Sequence, residues 1–446
     1  MRRVLLAGAS LAVLLASANV KAAELVVSTD TPLSENVTFG TGQTYDSFSN
    51  KDNALYGFDA SDTENHNITF GAGTTSVNLT GNGSKASGIA TNGQLTINAG
   101  TFNVSNTGSD VYDNTTQLAG YRGVTVTGGE INLGKGTAMF SGLAGEASNM
   151  TASDVDLNGG TVNLDGGIIL TSSNETVAGK INIAGATVNA NSGRLVSKTT
   201  NVNGGTLNIN GAVDLYGNKA NDATGATLNV SSGSFNLNDA DLNAGKVTVN
   251  ITGGTNTVTG SNTVTGDVKI NTAGNLTLTK GSSLEFGAGT LTIDGTHGAS
   301  GSAQRNGIAG VVENDAPLGE VTLNGTTVNI TGGGNIEVDK LNIAGGEINV
   351  SGTGADLTVP VGEDWRKGSI ISGTTSLDMT GGKVTLGENG QMITYENGSI
   401  NLSGGEVVLN GGSGTEAILR ASNGIDNPTS KINIDGAKVT VSGYGD

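Results

Sequence analysis

The chain has 446 residues, of which 73 are glycine, 4 are proline and none is cysteine. Charged residues make up 14 %, well below the roughly one quarter of ordinary domains, and the formal net charge of −18 argues against nucleic acid or an anionic lipid surface as a partner. Without cysteine there are no disulfide staples, zinc fingers, iron–sulfur clusters or thiol catalysis, so stability rests on backbone hydrogen bonding and packing.

Met1-Arg2-Arg3 opens with positive charge, Val4 to Ala18 is a short apolar run, and small residues follow around Ala22-Ala23. That order is an export leader, so residues 1–23 are read as a signal peptide and not as part of the fold. Loss of Arg2, Arg3 and Lys21 with it takes the formal charge from −18 to −21. No later stretch approaches the ~20 consecutive apolar residues of a transmembrane helix. Residues 24–75 hold Phe39, Tyr45, Phe48, Tyr56, Phe58 and Phe70, six of the fifteen Phe and Tyr residues. An array of stacked repeats needs a cap over its open end, and this segment is read as the N-terminal cap with the first coils.

From residue 95 a ten-residue frame recurs, in which apolar residues alternate with small polar ones on either side of a glycine-containing turn. Twelve copies begin at residues 95, 124, 155, 181, 200, 228, 249, 321, 341, 377, 400 and 432, each with glycine at its fifth or sixth position. Leu341-Asn-Ile-Ala-Gly-Gly-Glu-Ile-Asn-Val350 is the clearest. Alternation of period two marks strands with one buried face, and glycine allows the sharp bend between them. Eight copies carry Asn at the ninth position (Asn103, Asn132, Asn163, Asn189, Asn208, Asn236, Asn329 and Asn349), where it faces away from the apolar side.

The shortest spacings between copies, near twenty residues, match one coil of a parallel β-helix. The fold predicted for 76–446 is therefore all-β, a right-handed parallel β-helix, and 15–20 coils at ~4.8 Å each would extend roughly 70–95 Å. Gly-Gly and Asn-Gly between alternating strands also signal hairpins, so a series of β-hairpins or a sandwich is the alternative fold. Residues 296–320 and 353–370 lack the frame and are read as loop insertions. The chain stops just after a full copy, which reads as a truncated array.

Catalytic signatures are sparse. His66 and His297 are isolated, and no zincin, nucleophile-elbow or phosphate-loop motif occurs. Asp154 and Asp156 share a strand, but no acidic pair follows one coil away, as a β-helical polysaccharide lyase or glycoside hydrolase would need. Asp239, Asp241, Asn243 and Gly245 only loosely follow a calcium loop, and Gly411 to Glu416 gives a single match to a calcium-binding nonapeptide repeat. No metal or cofactor is therefore assigned. The most site-like spot is Trp365, the only tryptophan, flanked by Asp364 and Arg366. An exposed Trp there would stack on a sugar ring or anchor a partner protein, whereas a buried one would only shield a coil edge.

With leader, acidic cysteine-free composition and Gly-cornered strand frame together, the chain resembles autotransporter passenger domains and, more broadly, the haemagglutinin-like β-strand-repeat surface proteins of Gram-negative bacteria. The resemblance implies an adhesin or aggregation rod at the cell surface or outside the cell, non-enzymatic, contacting host or bacterial surface glycans or proteins or a second copy of itself. It departs from that family in lacking the C-terminal membrane barrel, whose amphipathic strands are missing from the sequence. The chain is then a fragment of a longer protein, crosses the outer membrane another way, or stays in the periplasm. A carbohydrate-active enzyme and a structural biofilm-matrix or surface-layer protein are the competing functions.

Overall fold

The computed structural model describes strands at 31–32, 37–39, 43–48 and 54–57. From Asn67 to Gly443 it describes every residue except 72–73, 82–86, 92, 108–115, 143–152, 172, 175–176, 218–224, 273, 296–305, 314–315, 353–368, 395–396, 413–414 and 422–428. The described chain is all-β, with no α-helix. It divides into two compact units, Met1–Ala226 and Thr227–Asp446.

Strands on either side of a glycine corner do not fold back on each other as hairpins. Each pairs in parallel with its counterpart in the next repeat. In the first unit Leu95–Ile97 pairs with Ile68–Phe70 on one side and Val124–Val126 on the other, and Val124–Val126 pairs on with Val155–Leu157. Thr101–Asn106, Glu130–Gly134 and Thr161–Thr171 form a second such column, and Thr116–Gly120 with Thr137–Ser141 a third. The strands described within 24–75 follow the same rule: Thr31–Pro32 pairs with Ala54–Gly57, Val37–Phe39 with Ile68–Phe70, and Gln43–Phe48 with Thr74–Gly81. Antiparallel pairing is confined to two small ribbons, Ser173–Asn174 with Val177–Ala178 and Val312–Glu313 with Ala316–Pro317.

The period-two pattern drives this packing. In Val155–Leu157 the two apolar residues are fully buried while Asp156 between them is partly exposed. Stacked strands place apolar residues directly over one another, as in Ile131, Val162, Val188 and Leu207, all at 0 % exposure. Outside, the ninth-position asparagines form a ladder. Asn103, Asn132, Asn163, Asn189 and Asn208 each donate an Nδ2 hydrogen bond to the Oδ1 of the Asn one repeat earlier, at 2.7–2.9 Å, ending on Asn78. An Asn side chain spans the ~4.8 Å between strands, so each amide finds a donor and an acceptor in its neighbours.

The frame does not keep one phase. In the second unit Val249 aligns with Ile270, Ile270 with Ile293, and Ile293 with Ile330, which is the second strand of copy 321–330. Thr255–Thr259 aligns with Asn275–Leu278 and then Asn306–Gly310, a third strand. Copy 249–258 therefore spans the second and third strands, whereas 341–350 spans the first and second. Copy 228–237 shares the shifted phase, since Asn250 bonds Asn229 and Ser234 aligns with Thr255. The strands of these copies share the same alternation, so the sequence carries no label saying which column a copy occupies. Asn256, an irregular position in its copy, points inward at 4 % exposure and satisfies itself on the backbone through Phe235 N and Gly253 O, both at 3.3 Å. Asn306–Gly310 also shows that the frameless stretch 296–320 contains a strand of the main sheet.

Candidate functional site

Corners and connections are distributed unevenly. Three residues separate first and second strands at every corner from Ile97/Thr101 to Ile183/Thr187 in the first unit, and from Phe286/Thr290 to Ile434/Lys438 in the second. The long connections all lie at one end or the other of a third strand. Nine residues precede Thr116–Gly120 and thirteen follow Thr137–Ser141; eleven precede Asn306–Gly310, eighteen precede Ser369–Met379 and ten follow Ile418–Arg420. Several glycine corners sit tightly against the corner of the preceding repeat. A Cβ on Gly160 would come 2.4 Å from Gly129 O, and one on Gly129 2.4 Å from Gly100 O.

Several third strands are buried on both faces, unlike the half-exposed first and second strands, whereas Ile418–Arg420 is partly exposed. Thr137–Ser141 and Gly390–Ile393 have no exposed position. Thr255–Thr259, whose connections are short, keeps its outward positions open. In the first unit the outward side of the third column is apolar: Ala119, Phe140, Leu170 and Val196 stack in register, with Ala138 and Ile168 beside them and Tyr121 and Tyr216 packed against the group.

The second unit places polar groups on the corresponding side. Glu337 is at 0 % exposure, Asn335 at 3 %, Ser372 at 0 % and Gln391 at 3 %. Glu337 stands in register with Ala309 on one strand and Ser372 on the next, and Asn335 with Gly307 and Ile370. Asn335 Nδ2 donates to Glu337 Oε2 at 3.4 Å, while Asn335 Oδ1 and Ser372 Oγ make no hydrogen bond. Burying a carboxylate with hydroxyl and amide groups costs several kcal/mol unless each finds a partner, so this cluster is the most chemically loaded spot among the described residues. In sequence Gly334-Asn-Ile-Glu-Val338 is an ordinary alternating strand, and its polar side reads as solvent-facing. Only the cover over that side distinguishes it.

Trp365, Asp364 and Arg366, the candidate binding residues, lie outside the described residues. The segment that holds them joins Glu347–Val350 to Ser369–Met379, whose first residues form the third strand bearing Ser372. Asp154 and Asp156 are committed to the next repeat: Asp154 Oδ1 accepts from Lys180 N at 2.8 Å, and Asp156 Oδ1 from Asn182 Nδ2 at 2.8 Å. Asp239 Oδ1 accepts from Ser261 N at 2.9 Å, and Asp241–Ile251 is a continuous strand, not the looped cage a calcium ion requires. Gly412 and Thr415 close a tight turn on each other. Among the described residues no three His, Asp or Glu side chains converge in a way that would hold a metal ion, and no helix is long and apolar enough to cross a membrane.

Comparison with known proteins adds no identity: no family model, no curated protein and no solved structure matches this chain.

Proposed function

We propose that this chain is an exported, non-enzymatic right-handed parallel β-helix, similar to autotransporter passengers, that acts in adhesion or aggregation at the cell surface. The observation that carries the reading is the division of labour within each repeat. Most corners between first and second strands hold three residues, while the long connections lie at the ends of third strands. Invariant stacking supplies a scaffold, and contact specificity resides in what leaves from one side of it, including the Asp364-Trp365-Arg366 segment. The leader at 1–23 supports export, and Asp154 and Asp156, the acidic pair on one strand, are bonded to the next repeat.

The test replaces residues 353–368 by a short Gly/Ser linker and, separately, substitutes Trp365→Ala. Binding to a glycan array and to whole Gram-negative cells should fall at least about tenfold in both variants, with the far-ultraviolet spectrum unchanged, since binding energy concentrates in a few aromatic anchors. Unchanged binding in both, or release of reducing ends from any polysaccharide on the array, would overturn the proposal.

A further inference from the structure

Asn158-Gly159-Gly160 forms the corner between Val155–Leu157 and Thr161–Thr171. The fold requires glycine at the middle position, because a Cβ on Gly159 would stand 2.4 Å from Thr127 O. It does not require asparagine before it. The backbone N of Asn158 bonds Val126 O just as that of Thr127 bonds Ile97 O and that of Ala184 bonds Leu157 O, so Thr and Ala fill the matching position in the adjacent repeats. Asparagine followed by glycine is a reactive pair. The carboxamide carbon can close a five-membered ring with the next backbone nitrogen, and glycine has no side chain to shield that nitrogen.

Stacking decides which of these pairs is free to react. Asn158 is exposed, its carboxamide makes no hydrogen bond among the described residues, and Gly159 N donates to none of them. The chain on either side is held, by Asn158 N on Val126 O at 2.7 Å and by Thr161 N on Gly129 O at 2.9 Å. Other Asn-Gly pairs lack one of these freedoms. Asn210 Nδ2 donates to Asn191 Oδ1, and Asn324 Nδ2 to Glu285 Oε1, both at 2.9 Å. Asn397 Oδ1 accepts from Thr429 Oγ1 at 2.7 Å, and Asn410 Oδ1 from Ser442 Oγ at 3.4 Å. After Asn389 it is the nucleophile that is tied up, since Gly390 N donates to Gly387 O at 3.0 Å.

We propose that Asn158 is a site of spontaneous covalent modification, passing through a succinimide with Gly159 to aspartate or isoaspartate. Solvent hydroxide takes the proton from Gly159 N, and that nitrogen attacks Asn158 Cγ. The N–Cγ bond forms, the Cγ–Nδ2 bond breaks, and Nδ2 leaves as ammonia with a proton from water. Water then opens the imide. Breaking the new N–Cγ bond gives aspartate; breaking the original peptide bond gives isoaspartate, whose chain runs through Cβ and Cγ. Nothing is oxidised or reduced. Either product places a new carboxylate next to the strand that carries Asp154 and Asp156, and isoaspartate also adds a backbone carbon to a tightly stacked corner.

The test incubates the whole chain at mildly alkaline pH, folded and in urea, and follows each Asn-Gly peptide by mass spectrometry, with isoaspartate read by enzymatic methylation. In the folded chain Asn158 should convert at least about tenfold faster than Asn324 and Asn389, because their reacting groups are released only by local opening. In urea the three rates should converge to within a few-fold. Equal rates in the folded chain would overturn the proposal. So would a lead for Asn158 that persists undiminished in urea, because local sequence and not the stacked corner would then set the rate.

Discussion

Gly346 and Gly325 occupy successive corners of the second unit and separate two effects that glycine usually combines. Both have positive φ, +91° and +71°, a region that residues with a Cβ avoid. A Cβ on Gly325 meets nothing within 4 Å, whereas one on Gly346 would fall 2.1 Å from Thr326 O and 2.9 Å from Gly325 C. Gly325→Ala should therefore cost only the left-handed conformation, about 1 kcal/mol. Gly346→Ala adds a backbone contact more than an ångström too short. The corner below cannot yield freely, because Thr326 Oγ1 is anchored to Phe286 O and Gly287 O at 2.7 and 2.8 Å. A total of about 3–4 kcal/mol follows, near the upper end for single substitutions. Stacked repeats need not unfold in one step, so the assay is native-state hydrogen exchange of the amides at 341–350 alongside urea unfolding. If the two variants differ by less than about 0.5 kcal/mol, the backbone contact at Gly346 does not set the cost of the substitution.

Phe102→Ala should destabilise the first unit by about 3–5 kcal/mol, because Phe102 is fully buried and meets Phe70 edge to face with ring centroids 4.9 Å apart. Exchange protection of the Leu95–Ile97 and Val124–Val126 amides checks it, and Phe102→Leu should recover most of the loss. Asn163→Ala removes a bond donated to Asn132 and one accepted from Asn189, yet water reaches this face, so the loss should be about 1 kcal/mol in urea unfolding. Glu406 titrates below the ordinary glutamate range because of the hydrogen bond from Lys438 and the nearby charges of Lys438 and Lys383. A depressed carboxyl stabilises the fold above its unfolded pKa and loses that contribution as pH falls through the folded value. Exchange protection of Lys438–Val441 should therefore weaken on acidification below about pH 4.5, less so in Lys438→Met or in high salt.

Much of the architecture is legible from local pattern. Val-Asp-Leu at 155–157 and Glu-Ile-Asn-Val at 347–350 are strands wherever they are placed, because alternation buries one side and wets the other. The ninth-position asparagines were readable as an outward column, since they share the parity of the exposed residues. The candidate site was not. Trp365 drew attention by composition alone, while Glu337 and Asn335 sit in a strand whose polar parity looks like solvent exposure. The phase of copy 249–258 was equally hidden, because its strand–corner–strand text matches that of 341–350.

By itself, then, the sequence determined the strands, their inward residues and the glycine bends, all of which depend on neighbours within a few positions. Only the tertiary structure decided which copy stacks on which, which outward faces are covered, and that Glu337 is buried. The physical reason is that burial on a strand's outer face and pairing on its free edge are set by chain tens of residues away, and period-two alternation carries no information about either.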